Sequence, residues 1–130
     1  MSRPLPTVDA VTAPYWEAAQ RGELLVPECD SCGHKHFPAE AVCPKCLSSW
    51  HWATSPGVGT IYSFSVVRRP AGPGFPDVYV LALVELADGG WLMTTNIVDI
   101  EPDDVRVGLP VKVHFRKESD EISMPYFVPA

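Results

Sequence analysis

Cys29-Asp30-Ser31-Cys32, then ten residues, then Cys43-Pro44-Lys45-Cys46: this stretch decides how the chain is read. A Cys-x-x-Cys turn brings two sulfurs to within about 2.3 Å of one metal ion. It also aims backbone N–H groups at the thiolates, which lowers their basicity. Two such turns complete a tetrahedron. Gly33, directly after the first pair, permits the positive φ that such a knuckle needs. Four thiolates leave no position for water or substrate, so a closed Cys₄ site is structural, not catalytic. Zn²⁺ held by Cys29, Cys32, Cys43 and Cys46 is the expectation; iron also accepts a tetrahedral S₄ set. The segment around the cysteines has almost no apolar core of its own. Its folding should therefore be coupled to the metal, which supplies about 10–16 kcal/mol in zinc-finger peptides.

The surroundings of the motif favour metal over disulfides. Met1-Ser2-Arg3-Pro4 has no apolar run of the secretory kind, and no stretch approaches the roughly 20 apolar residues that span a bilayer. These features predict a cytoplasmic protein with no membrane association, where paired cysteines serve as metal ligands. No βαβ pattern surrounds either pair, so a thioredoxin-like redox motif is not expected. The 130 residues suffice for one compact domain or a small module with an appendage, and 46% hydrophobic with 20% charged residues suits an ordered chain. The 14 prolines are spread along the chain and punctuate loops and strand ends. A net charge of −6, with ten Lys plus Arg, weighs against capture of nucleic acid by its phosphates.

Reading outward from the motif divides the chain into residues 1–22, 23–55 and 56–130. In the first part, Thr12 as N-cap, Pro14 in the first turn and Gly22 as the stop predict one short helix. Tyr15, Trp16 and Ala19 can share a face of it, docked on the chain's own body or on a partner subunit. In the second part, Leu24-Leu25-Val26 predicts a short strand ending at Pro27, and Trp50-His51-Trp52 a return strand. In the third, Thr60 to Val67 alternates as a half-buried strand does, and Tyr79 to Leu86 is more continuously apolar, as a buried strand is. Asp88-Gly89-Gly90 predicts the turn of a hairpin leading to Trp91–Ile97. Pro110–Phe115 and Ile122–Phe127 are further strands, with a polar turn at Lys117–Glu121. The fold class is mainly β. Five strands with no second helix of note suggest a small barrel, although periodicity does not separate barrel from sandwich.

No catalytic constellation is legible: there is no serine nucleophile elbow, no glycine-rich phosphate loop and no His/carboxylate metal set. His34, His36 and His51 read as ordinary loop and strand residues beside a full coordination shell, and His114 as packed or solvent-facing. Asp103 and Asp104 after Pro102 open a turn, and Glu85 and Asp99 are isolated.

Several runs, taken together, resemble a known family. They are Thr12-Ala13-Pro14-Tyr15-Trp16-Glu17-Ala18, Gly22-Glu23-Leu24-Leu25-Val26-Pro27, the Cys₄ segment, Gly57-Val58-Gly59-Thr60-Ile61-Tyr62-Ser63, Leu83-Val84-Glu85-Leu86, Val107-Gly108-Leu109-Pro110-Val111 and Pro125-Tyr126-Phe127-Val128-Pro129. In this order they are similar to the acyl-CoA-associated zinc-ribbon/OB-fold proteins. One departure is Val78 before Tyr79, where members often carry proline. The resemblance implies an N-terminal helix, a rubredoxin-like zinc ribbon and a five-stranded OB-fold barrel. It also implies a non-catalytic subunit that stabilises a thiolase-like aldolase or acyltransferase, including aldolases of steroid side chains, and assists acyl-CoA binding. A self-dimer within a hetero-oligomer follows from the same resemblance.

An anionic CoA end requires Arg or Lys, and Arg pairs bidentately with phosphate. Arg68 and Arg69 end the first barrel strand beside the Pro70–Pro76 loop, which carries Phe75, so these residues are candidates for contact with CoA or a partner; as adjacent arginines at a strand end they are equally read as solvated. Tyr15, Trp16, Trp50 and Trp52 either form an interface, where Trp and Tyr are enriched, or cover the ribbon. The competing classes are a single-stranded nucleic-acid binder, since zinc ribbons and OB-folds both serve that purpose, and an iron electron carrier.

Overall fold

The helix α1 (Ala13–Gln20) forms where expected but is capped differently. Thr12 sits in the helical region and makes no capping bond to the first turn. Asp9 does that work: its Oδ1 accepts from the Thr12 N–H at 2.8 Å and its carbonyl from the Ala13 N–H at 2.8 Å. Thr12 instead accepts the Asp9 N–H on Oγ1 at 3.2 Å. At the other end Gly22, at φ +78°, donates to the Ala19 carbonyl while Glu23 donates to Ala18. That pair of bonds is a Schellman closure, and it requires the left-handed residue that glycine supplies without strain. The computed structural model describes residues 4–69 and 72–130.

Two short strands follow, β1 (Leu24–Cys29) and β2 (Trp50–Ser55), paired antiparallel from Leu24 opposite Ser55 to Cys29 opposite Trp50. Pro27 does not end β1 as expected; it lies inside the strand, opposite Trp52. A two-stranded sheet has two open edges, so the missing N–H of a proline costs no ladder bond there. Its carbonyl accepts the His36 N–H at 3.2 Å.

The remaining strands, β3 (Val58–Val67), β4 (Tyr79–Leu86), β5 (Leu92–Ile97), β6 (Pro110–Lys117) and β7 (Ser123–Pro129), close into a barrel in the order β3-β4-β5-β7-β6. Closure through β3–β6 settles the choice between barrel and sandwich and removes the exposed edges a sandwich would keep. The hairpin at Asp88-Gly89-Gly90 forms as read, with Glu85 opposite Leu92. β4 corrects the expectation of a buried strand. Val80, Ala82, Val84 and Leu86 point into the barrel, whereas Leu81 faces outward and is 43% exposed. Outward Leu81 is apolar for a local reason described below.

One core joins all three parts. Tyr15 of α1 and Leu24 and Val26 of β1 belong to the same buried cluster as Ile61, Val84, Val111 and Phe127 of the barrel. The helix face is therefore docked on the chain's own body. Aromatic rings continue that seam. Trp16 meets Tyr15 edge-on at 5.0 Å, Tyr15 meets Trp52 at 6.1 Å, and Trp52 meets Trp50 edge-on at 4.8 Å. Edge-to-face pairs at these separations are attractive beyond their buried area.

Candidate functional site

The four cysteines are carried by two loops of matching backbone. In the first, the Cys29 N–H donates to the His34 carbonyl and the Gly33 N–H to the Cys29 carbonyl. In the second, Cys43 donates to Ser48 and Leu47 to Cys43, at the same offsets. Both loops need a left-handed residue after the second cysteine: Gly33 at φ +73° and Leu47 at φ +66°. The two knuckles face each other, and their four sulfurs lie within 4.8 Å of one another. Cys29 Sγ is 3.4 Å from Cys46 Sγ, and Cys32 Sγ is 3.8 Å from Cys43 Sγ. The N–H groups of Ser31 and Cys32 both point at Cys29 Sγ from 3.3 Å.

Electrostatics of the cluster fit a cation. Hydrogen bonds from the Cys32 N–H, then from the Ser31 N–H, hold the Cys29 thiol below its ordinary value. Cys46 is drawn down to about 6, first by the Ser48 hydroxyl and then by the Ser48 backbone. Cys32 receives the His34 N–H, which lowers it, yet desolvation and the neighbouring sulfurs push it up to about 11. Sulfurs this close resist ionising together unless a positive charge lies between them. The donor set, number and spacing suit a tetrahedral Zn²⁺ with no open position.

Polar side chains around the ribbon are more organised than the sequence suggests. His51 is clasped between two carboxylates, with Nδ1 2.6 Å from Asp30 Oδ1 and Nε2 3.1 Å from Glu28 Oε1. Asp30 also accepts the Ser49 hydroxyl at 2.7 Å. His36 is buried, edge-on to Trp50, and burial lowers its pKa. Asp88, read only as a turn residue, ties the ribbon to the barrel. It accepts the Ser55 hydroxyl at 3.0 Å, the Lys35 ammonium at 3.2 Å and the Trp91 indole N–H at 3.3 Å. Nothing in the local sequence distinguishes it from any Asp-Gly turn, because its Ser55 and Lys35 partners lie 33 and 53 positions away.

Beside the ribbon lies a cleft of about 340 Å³ where helix, ribbon and barrel meet. Tyr15 and Trp16 of α1, Phe37 and Trp52 of the ribbon, and Leu81 and Met93 of the barrel wall it. This explains the outward Leu81. Among the described residues, no charged side chain lines the cleft. Seven separated stretches of sequence contribute, so no motif could have announced it.

The other candidate residues are dispersed. Arg68 and Arg69 are exposed beyond the end of β3. Phe75 is half-buried with its ring 5.6 Å from Tyr79. Pro70 and Ala71 of that loop lie outside the described residues. Tyr15 is buried at 9% exposure and Trp16 half-buried, and both line the cleft. His114 is exposed, and Asp99 accepts the Arg116 guanidinium at 2.8 Å.

Comparison with known proteins agrees with this geometry. Residues 16–50 match the family model of the ChsH2 rubredoxin-like zinc ribbon domain, and residues 52–116 match that of the ChsH2 C-terminal OB-fold domain. The chain belongs to the ChsH2/DUF35 family. A "DUF35 domain-containing scaffold protein" of Methanothermobacter thermautotrophicus is 37% identical over 106 residues, 78% of each chain. A "Probable enoyl-CoA hydratase alpha subunit" of Thermomonospora curvata is 36% identical over 129 residues, 98% of this chain. The chain spans 40% of that relative's length. Among solved structures, a chain described as "Ltp2-ChsH2(DUF35) aldolase" superposes with a TM-score of 0.83 at 34% identity, covering 96% of this chain and 98% of that one. The ChsH2/DUF35 fold thus comprises the helix, the four-cysteine zinc ribbon and the closed five-stranded barrel seen here.

Proposed function

We propose that this chain is a non-catalytic, cytoplasmic subunit of an acyl-CoA-processing complex, holding one structural Zn²⁺ through Cys29, Cys32, Cys43 and Cys46. Its partner is a thiolase-fold aldolase or acyltransferase, and the assembly contains two copies of this chain. The observation that carries the reading is the near end-to-end similarity to the ChsH2(DUF35) chain of an aldolase. A four-thiolate cluster, which leaves no coordination site for substrate, supports a structural metal and a partner that supplies the reactive groups. The metal, when bound, neutralises the thiolates and fixes both knuckles; the protein around it orients the aromatic seam.

Leu47 supports an interface at the second knuckle. It is 73% exposed and occupies a left-handed backbone position, which a β-carbon disfavours. In this reading Arg68 and Arg69, both exposed, receive the anionic end of a CoA thioester.

Co-expression with a thiolase-fold protein, affinity purification and metal analysis test the reading. The expected result is a stable complex with one zinc per copy of this chain, and a partner that loses activity or solubility when expressed alone. Arg68→Ala with Arg69→Ala should weaken acyl-CoA binding by the assembled complex. Turnover by this chain alone, iron in place of zinc with a reversible one-electron wave, or failure to retain any such partner would overturn it.

A further inference from the structure

The cleft between helix, ribbon and barrel has the size and lining of a ligand site, and no role has been assigned to it. Small-molecule sites occupy about 300–1,000 Å³, are walled mainly by apolar and aromatic side chains, and carry a few polar groups that set orientation. This cleft meets each condition. Its volume is about 340 Å³, and its walls include Tyr15, Trp16, Phe37, Trp52, Leu81 and Met93. Its polar side chains among the described residues are uncharged and include Thr12, Thr94, Thr95, Asn96 and the Tyr126 phenol.

We propose that this cleft seats the apolar acyl end of the thioester, outside the partner enzyme. The choice of a thioester rests on the function proposed above; the apolar character and size rest on the cleft itself. An apolar cavity of about 150 Å³ accepts benzene, so by volume this one accepts an acyl group of about a dozen carbons. Among the described residues no Lys, Arg, Asp or Glu lines the cleft, which disfavours the phosphates of the CoA end there. Phosphate would lose its hydration there without gaining a partner. Leu81, outward on β4 and 43% exposed, contributes apolar surface to the wall.

Two tryptophans, Trp16 and Trp52, line the cleft, so occupancy reports on intrinsic fluorescence. The zinc-loaded 130-residue chain is titrated with dodecanoyl-CoA, dodecanoate and CoA. A saturable change with both acylated probes and none with CoA is expected. Ala39→Phe from the ribbon side and Thr94→Phe from the barrel side narrow the cleft from two walls, and each should weaken dodecanoyl-CoA binding at least tenfold by calorimetry. Zinc content and the thermal midpoint confirm that each variant is folded. A fatty acid bearing a diazirine, crosslinked to the wild-type chain, removes any dependence on variants: adducts on peptides carrying Phe37 or Leu81 support the proposal. No saturable change, unchanged affinity in both narrowed variants, or adducts confined elsewhere would overturn it. Retention of the thiolase-fold partner by the same narrowed variants, measured separately, tells failure of this site from failure of the subunit role.

Discussion

Replacing Asp88 by alanine tests whether one carboxylate couples the ribbon to the barrel. Three donors lose their acceptor: the Ser55 hydroxyl, the Trp91 indole N–H and the Lys35 ammonium. Ser55 and Trp91 are each 5% exposed, so water cannot readily replace the carboxylate at either. Lys35 keeps the Asp88 carbonyl at 3.1 Å and Glu28 at 3.9 Å, so its loss is partial. A hydrogen bond to a charged group contributes about 1.5–3 kcal/mol, and bonds sharing one acceptor do not add, so the expected destabilisation is about 3 kcal/mol. For a chain of this size that corresponds to a fall of about 10 °C in Tm. Asp88→Asn keeps one acceptor oxygen and should lose about half as much. The assay is urea unfolding at saturating zinc, followed in parallel by tryptophan fluorescence and far-ultraviolet circular dichroism. A double-mutant cycle with Lys35→Met should show the two changes to be non-additive. An Asp88→Ala protein within about 0.5 kcal/mol of wild type, the range of an ordinary surface change, would refute the reasoning.

Two further outcomes follow from backbone crowding and from protonation. A Cβ at Gly59 would collide with the Glu85 carbonyl oxygen on β4 and lie 2.9 Å from its carbonyl carbon. Gly59→Ala should therefore part β3 from β4 and cost about 3 kcal/mol, read from soluble yield and the urea midpoint; a wild-type midpoint would contradict the barrel register. His51 has its pKa raised, first by the hydrogen bond to Asp30 and further by Glu28. A pKa higher in the folded state stabilises fully below the unfolded value of about 6.5 and fades as pH rises through the folded value. His51→Gln should accordingly be most destabilised relative to wild type near pH 6 and converge with it toward about pH 9 at fixed zinc; a gap that widens with pH would reverse the sign and exclude the clasp.

Local chemistry and long-range placement divide what was legible here. The knuckles are written in consecutive residues: two Cys-x-x-Cys turns and Gly33 specify their own geometry. The hairpin at Asp88-Gly89-Gly90 is likewise local. Boundaries slipped where a second partner intervened. Asp9 took the capping role from Thr12 because its carboxylate reached the Thr12 N–H and its carbonyl the Ala13 N–H. Pro27 continued its strand because a two-stranded sheet leaves an edge free. Leu81 fell on the outside of a strand whose apolar run suggested burial.

By itself, then, the sequence determined the two cysteine knuckles, the short helix and the existence of five barrel strands, because each depends on residues a few positions apart. Tertiary structure alone decided that the strands close in the order β3-β4-β5-β7-β6, that Asp88 bridges ribbon to barrel, and that Tyr15, Phe37, Trp52 and Leu81 wall a common cleft. Those features arise from contacts between distant segments, and their free energies are set by which surfaces meet, a quantity that no local pattern of residues encodes.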